Sequence, residues 1–204
     1  MKITERIGAQ FGNPSGLPGR LAAGLMNQMN RRQYQSVLQA VQSPAMKRAA
    51  LLDIGFGNGE LLRRISRFHE GPLCGVDPSP DMRREALRRC RDSVASGRMF
   101  LLEGDACRLP FPTGRFRLAY TVNTVYFWDS LERGLNEVSR VLAPSGVFLN
   151  AFYSKSWLER LPFTCRGFQK YTPEELRAAG EAAGFSAELR ELKKGAAYCL
   201  ILQK

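Results

Sequence analysis

Apolar residues fall into two rhythms along this chain. From residue 49 onward, short unbroken apolar runs alternate with stretches whose apolar positions recur every three or four residues, which predicts a doubly wound parallel sheet with helices on both faces. The run Leu51 to Ile54 reads as the first strand. Gly55, Gly57 and Gly59 follow, then a helix with Leu61, Leu62, Ile65 and Phe68 on one face and Arg63, Arg64 and Arg67 outside. A second strand, PLCGVD, ends at Asp77. Ser79 and Pro80 offer an N-cap and a first-turn proline to a helix carrying Met82, Ala86, Cys90 and Val94, stopped by Gly97. RMFLLEGD is the third strand and FRLAYTV the fourth. Leu131, Leu135, Val138 and Leu142 mark a helix closed by Pro144 and Gly146, before a fifth strand, GVFLNAFY. Thr172, Pro173 and Glu175 open a last helix as a capping box, and Gly184 ends it. Strands over Ser186 to Leu192 and Ala196 to Leu202 are joined only by KKG, too short for a helical crossover, so they pair antiparallel.

Composition narrows the class. A chain of 204 residues, 44% hydrophobic and 24% charged, suits one globular domain with decorations and excludes disorder and fibrous repeats. No apolar run approaches the roughly 20 residues of a membrane span, and the first residues have no continuous hydrophobic stretch of the secretory kind. A cytoplasmic location is expected. Cys74, Cys90, Cys107, Cys165 and Cys199 are odd in number and scattered, without metal-ligand spacing, so they are expected to be reduced thiols and no metal is expected. The net charge of +11 admits nucleic acid, an anionic membrane or an acidic small molecule as partner. Seven basic residues against one acid in the first 50 supply +6 of it. A solvated, arginine-rich surface is the simpler reading.

The glycine loop carries the chemistry. Its spacing, Gly55-Phe56-Gly57-Asn58-Gly59, is G-x-G-x-G rather than the G-x-G-x-x-G of dinucleotide sites. Asp53, just inside the strand end, would repel a pyrophosphate and accept from an ammonium group. A cationic or zwitterionic ligand fits better.

At these residues the chain resembles the class I S-adenosylmethionine-dependent methyltransferases. LLDIGFGNG is similar to the family's first motif, GVDPSPDM to its second and LEGDACRLPF to its third; RVLAPSGVFL and YTPEELRAAGEAAGF are similar to the approach to its fifth strand and to its last helix. Within the family, the similarity is greatest to the small-molecule branch of the ubiquinone and menaquinone biosynthesis methyltransferases. The resemblance implies a Rossmann-like, seven-stranded α/β sheet, mostly parallel with one antiparallel strand, over 49–204, with an N-terminal helical lid segment over 1–48. It implies that Asp53 and the backbone of Gly55, Phe56, Gly57 and Gly59 hold the methionine part of the cofactor. Asp77, followed by Pro78, would accept the ribose hydroxyls, and Met82 would pack on the adenine. Gly104, Asp105 and Ala106 would meet the adenine's amino edge, with Thr121 and Asn123 beside the sulfonium.

Methyl transfer from a sulfonium is a direct displacement, so alignment can supply much of the rate and a base is needed only for a protonated acceptor. Tyr126, Tyr153 and Trp128 are the candidates near the site, with packing as the alternative role for each. His69, the single histidine, is expected at the far end of the sheet. Strand four runs into NTVYFW rather than the NPPY of enzymes that methylate base amines, which counts against a nucleic-acid amine. Residues 11 to 43 and the insert SKSWLERLPFTCRGFQKY would form a lid. Trp157, Phe163, Arg166, Phe168, Arg20, Arg31 and Arg32 in these pieces suit an apolar or anionic acceptor. The leading expectation is methyl transfer to a small or lipid-like acceptor. RNA or protein methylation and a non-catalytic cofactor-binding module remain as alternatives, and oligomeric state stays open.

Overall fold

The computed structural model describes residues 26–204. Seven strands form one sheet: β1 (Leu51–Ile54), β2 (Leu73–Asp77), β3 (Met99–Glu103), β4 (Phe116–Val122), β5 (Leu142–Tyr153), β6 (Ser186–Lys193) and β7 (Ala197–Gln203). Their order is β3-β2-β1-β4-β5-β7-β6. All pairs from β3 across to β5 are parallel, and β7 runs antiparallel to both β5 and β6. Every residue of β1 and β2 is buried, which is why these strands read as unbroken apolar runs: parallel strands covered on both faces have no solvent side. The edge strand β6 alternates instead.

α-Helices cover the faces, among them α1 (Arg31–Val41), α2 (Glu60–Ile65), α3 (Pro80–Arg89), α4 (Arg91–Ala95), α5 (Leu131–Val141), α6 (Lys155–Leu158) and α7 (Pro173–Ala182). Successive strand residues point to opposite faces, so neighbours separate into two cores. Leu52, Ile54, Val76 and Phe148 pack with Leu135, Val138 and Leu176. Leu51, Leu73, Leu118 and Tyr120 pack with Val37, Leu62, Ile65 and Ala86. Each fully buried side chain of this kind contributes about 1.5–3 kcal/mol of hydrophobic free energy. The caps form as the sequence predicts: Ser79 accepts from Met82 N–H, and Thr172 and Glu175 make the reciprocal capping box.

Four elements depart from the expected pattern. Helix α2 stops at Ile65 because the chain turns back to bury His69, whose Nε2 lies 3.0 Å from the Ala49 carbonyl, and this leaves Phe68 on the surface. The helix after Ser79 breaks at Cys90, which is drawn down against Gly59, so α3 and α4 are separate. Leu142 opens β5 instead of ending α5, and the chain passes Ser145 at φ +57 before regular pairing resumes at Leu118↔Val147. Finally, only the start of the expected N-terminal helix lies over the strand ends. Val37 and Val41 are core residues packed under the sheet, while the chain ahead of Tyr34 overhangs the strand ends. The glycine- and proline-rich turn expected before it, with Arg20, lies outside the described residues. No helix among the described residues is long and apolar enough to cross a membrane.

Candidate functional site

The sheet reverses its order between β1 and β4, and a cavity of about 250 Å³ opens beyond the carboxyl ends of the strands there, the usual ligand position in a doubly wound sheet. Asp53 and Ile54 come from the end of β1, Val76 and Asp77 from β2, Val122 and Asn123 from β4. Gly55, Phe56, Gly57 and Asn58 form one wall, and Met26, Asn27, Asn30 and Tyr34 overhang it from the N-terminal side.

The glycines differ in what they allow. Gly55 has φ +79, and a Cβ there would sit 2.3 Å from Thr124 Cγ2. Gly57 has φ +54, and a Cβ there would meet open space. Left-handed backbone at both positions favours glycine, but Gly55 serves the packing of the loop and Gly57 leaves room above it. Gly59, also left-handed, is the N-cap of α2 and closes on Ala86.

Charge in the cavity is one-sided. Asp53, Asp77, Asp105 and Asp129 line it, and no lysine, arginine or histidine does so among the described residues. In a chain of net charge +11 this is a local inversion. Burial pushes the Asp53 carboxyl well above its ordinary range, opposed by the nearby Tyr120 hydroxyl and reinforced by the charge of Asp77. Burial also raises Asp77, opposed by two backbone donors. Gly57 N–H donates to its Oδ2 at 2.8 Å and Ser79 N–H to its Oδ1 at 2.9 Å. Both carboxylate oxygens are thereby oriented, and each keeps acceptor capacity.

Eleven of the residues expected at a cofactor meet at this cavity: Asp53, Gly55, Phe56, Gly57, Asp77, Pro78, Met82, Gly104, Asp105, Ala106 and Asn123. Two do not line it. Gly59 is spent on the helix cap, and Thr121 is fully buried with its hydroxyl donating to the Ile54 carbonyl at 2.7 Å, where it ties β4 to β1 and also touches Thr124. Trp128 lines the cavity and packs over Gly134. His69 sits behind the amino end of β1, beside Ala49, with its ring pushed below the ordinary histidine range by burial.

The sequence predicts a cover from residues 11 to 43 without singling out the residues that fasten it, although NQMNRRQY sets Asn27, Asn30 and Tyr34 at spacings of three and four, one helical face. Tyr34 Oη donates to Asn27 Oδ1 at 2.9 Å, Asn27 reaches the glycine loop at Asn58, and Asn123 Nδ2 donates to Asn30 Oδ1 at 2.8 Å. The N-terminal segment is thus fastened to both walls.

Tyr126 and Tyr153 stand behind this cavity, at a smaller bay of about 30 Å³ that shares Met26, Asn30, Asn123 and Phe127 with it. The Tyr126 hydroxyl accepts from Tyr153 N–H and donates toward Asn123 Oδ1 and the Tyr153 carbonyl, both at 3.0 Å. Tyr153 Oη donates to the Met29 carbonyl at 2.7 Å. Burial raises both phenols above their ordinary value. Arg31, Arg32 and Arg166 are exposed and line neither cavity. Arg32 instead donates to the Leu192 carbonyl at 2.9 Å.

This donor set fits a sulfonium nucleoside. Two buried carboxylates offer acceptors for an ammonium group and a ribose diol, the backbone at Gly57 leaves a cradle, and Val76, Met82 and Ala106 give an apolar seat for a base.

Comparison with known proteins agrees with this chemistry. Residues 51–146 match the family model described as a methyltransferase domain. The chain is 28% identical over 172 residues to a malonyl-[acyl-carrier protein] O-methyltransferase of Geobacter sulfurreducens, covering 77% of this chain and 63% of that protein. It is 29% identical over 117 residues to the chloroplastic 2-methyl-6-phytyl-1,4-hydroquinone methyltransferase 2 of Oryza sativa subsp. japonica, covering 56% of this chain and 32% of that one. The matched lengths are therefore less than two thirds of either relative. Among solved structures, a SAM-dependent methyltransferase from Aquifex aeolicus superposes with a TM-score of 0.72 at 16% identity, covering 100% of this chain and 99% of that one; that likeness speaks to the fold. With a methyltransferase domain matched over its central strands and an acid-lined cavity at the point where the sheet reverses, the chain is similar to the S-adenosylmethionine-dependent methyltransferases in both sequence and fold.

Proposed function

We propose that this protein transfers the methyl group of S-adenosylmethionine to a small or lipid-like acceptor, and that it does so by alignment, without a side-chain base, the proton of a protonated acceptor passing to water. The observation that carries the reading is the cavity's charge: four aspartates, two of them deeply buried, and no cation among the described lining residues. Such a site selects a cation and repels the pyrophosphate of a dinucleotide. When bound, S-adenosylmethionine supplies an electrophilic methyl on a sulfonium. Asp53 would hold the ammonium end, Asp77 the ribose hydroxyls, and Met82 with Val76 the adenine. Asp105 and Ala106 would meet the adenine edge, and Asn123 would stand between donor and acceptor. Gly59 and Thr121 would support the site from behind rather than touch the ligand.

Small and lipid-like acceptors are what the relatives' names carry, a malonyl-[acyl-carrier protein] in one case and a phytyl hydroquinone in the other. Nucleic acid is not favoured. Much of the arginine surface is internally paired, with Glu60 taking Arg63, Arg64 and Arg89, and Glu85 taking Arg88. The five cysteines are free, which supports a reducing, cytoplasmic setting. We take the stretch from Met26 to Tyr34 as covering the site among the described residues, and 49–204 as the cofactor-binding unit. Incubation with methyl-labelled S-adenosylmethionine and separate pools of neutral phenols, carboxylic acids and RNA tests this directly. Label should pass to a neutral small molecule, and label found only in RNA would overturn the reading.

A further inference from the structure

Behind the cofactor cavity lies the smaller bay, and its lining differs in kind. Met26, Met29, Phe127, Leu161, Phe163 and Phe168 make most of its surface, and no charged side chain lines it among the described residues. Phe168 closes the bay from the insert after β5. Its ring lies 4.7 Å from Phe127 and 5.9 Å from Tyr126, and the next residue is clipped in place by Gln169 N–H donating to the Tyr126 carbonyl at 2.9 Å. The bay communicates with the cofactor cavity across a polar lip, the hydrogen-bonded amides of Asn30 and Asn123, which line both.

We propose that this bay seats the hydrocarbon end of the methyl acceptor, and that the acceptor is uncharged along that end, with its polar head presented across the Asn30–Asn123 lip toward the cofactor. The inference rests on the methyltransferase reading and narrows it, since it excludes acceptors whose seated end is anionic, of the kind that Arg31, Arg32 and Arg166 suggest in the sequence. A carboxylate in the bay would lose its water with no cation among the described lining residues to replace it. As it stands the bay has room for little more than a methyl group, so entry of an acceptor displaces lining side chains. Met26 and Met29, unbranched and polarisable, are suited to yield and repack around different hydrocarbon shapes.

The test uses para-pentylphenol and its analogue whose chain ends in a carboxylate, each titrated by calorimetry into the full protein saturated with S-adenosylhomocysteine. The neutral probe should bind at least about tenfold more tightly than the charged one, because the chain end enters an apolar site. Leu161→Glu and Phe163→Glu should each weaken the neutral probe by about tenfold or more, while S-adenosylhomocysteine binds these variants as it binds the unaltered protein, which also reports that they fold. Equal affinity for the two probes, no binding of the neutral one, or neutral-probe binding unchanged in both variants overturns the assignment of the bay while leaving the cofactor site intact. Failure of the unaltered protein to bind S-adenosylhomocysteine is a different result and overturns the cofactor reading together with the inference built on it.

Discussion

The backbone N–H of Gly57 donates to the Asp77 carboxylate across 2.8 Å, so the tip of the loop after β1 is tied to the last residue of β2. Ser79 N–H holds the other oxygen at 2.9 Å. A single side chain therefore shapes the loop and faces the ligand. Asp77→Ala should lower S-adenosylhomocysteine affinity by at least about 30-fold, since hydrogen bonds to a charged group contribute roughly 1.5–3 kcal/mol each. Asp77→Asn, which keeps one oxygen to accept from the backbone, should fall between the two. Equal affinity in all three forms would remove Asp77 from the site.

Asp53 sets a pH dependence. Its value in the folded protein lies well above its ordinary range because burial disfavours the charged form. Between the unfolded value near 4 and the raised folded value, the folded state binds more protons than the unfolded one, so stability without ligand falls as pH rises through that window and levels off above it. Asp77 adds in the same direction. Asp53→Asn should flatten the fall and raise the melting temperature at neutral pH by a few degrees, yet weaken S-adenosylhomocysteine by about tenfold. Melting curves from pH 5 to 8, with and without ligand, separate the two effects. A variant that is both less stable and equally good at binding would contradict this role.

The two glycines facing the cavity should fail differently. Gly55→Ala forces a methyl to 2.3 Å from Thr124 Cγ2 at φ +79 and should cost about 2–4 kcal/mol of stability. Gly57→Ala meets open space, costs only the left-handed backbone strain of about 1–2 kcal/mol, and should lose ligand affinity out of proportion to stability. Denaturation and calorimetry on the same two variants give the comparison.

Tyr126 tests whether a base is used. Its hydroxyl is engaged by Asn123 and by the Tyr153 backbone, and burial holds the phenol protonated. With an acceptor in hand, Tyr126→Phe should reduce kcat by less than about fivefold, whereas loss of a general base would cost about 100-fold or more. Stability should drop by about 1–2 kcal/mol, because Tyr153 N–H and Asn123 lose a partner.

Much of the fold was legible because its signals are local. The unbroken runs of β1 and β2, the capping box at Thr172 and the three-residue link before β7 each allow few conformations. The misreadings arise where tertiary contacts override local preference. Cys90 breaks a regular helical period to reach Gly59, and Leu142, in phase with α5, begins β5 because Phe116 pairs with it. In the site, acids and glycines at strand ends announce themselves by type and place. Thr121 has the right place but turns its hydroxyl to the Ile54 carbonyl, which no spacing rule reveals. Arg31, Arg32 and Arg166 looked like acceptor ligands by charge, and only their positions show that neither cavity receives them.

The most direct measurement is a calorimetric titration of the purified protein with S-adenosylhomocysteine, beside Asp77→Ala and with NAD as the control ligand. Micromolar binding to the unaltered protein, lost in the variant and absent for NAD, is the expected result. Binding of NAD with none of S-adenosylhomocysteine would contradict the acid-lined cavity's assignment to a sulfonium cofactor.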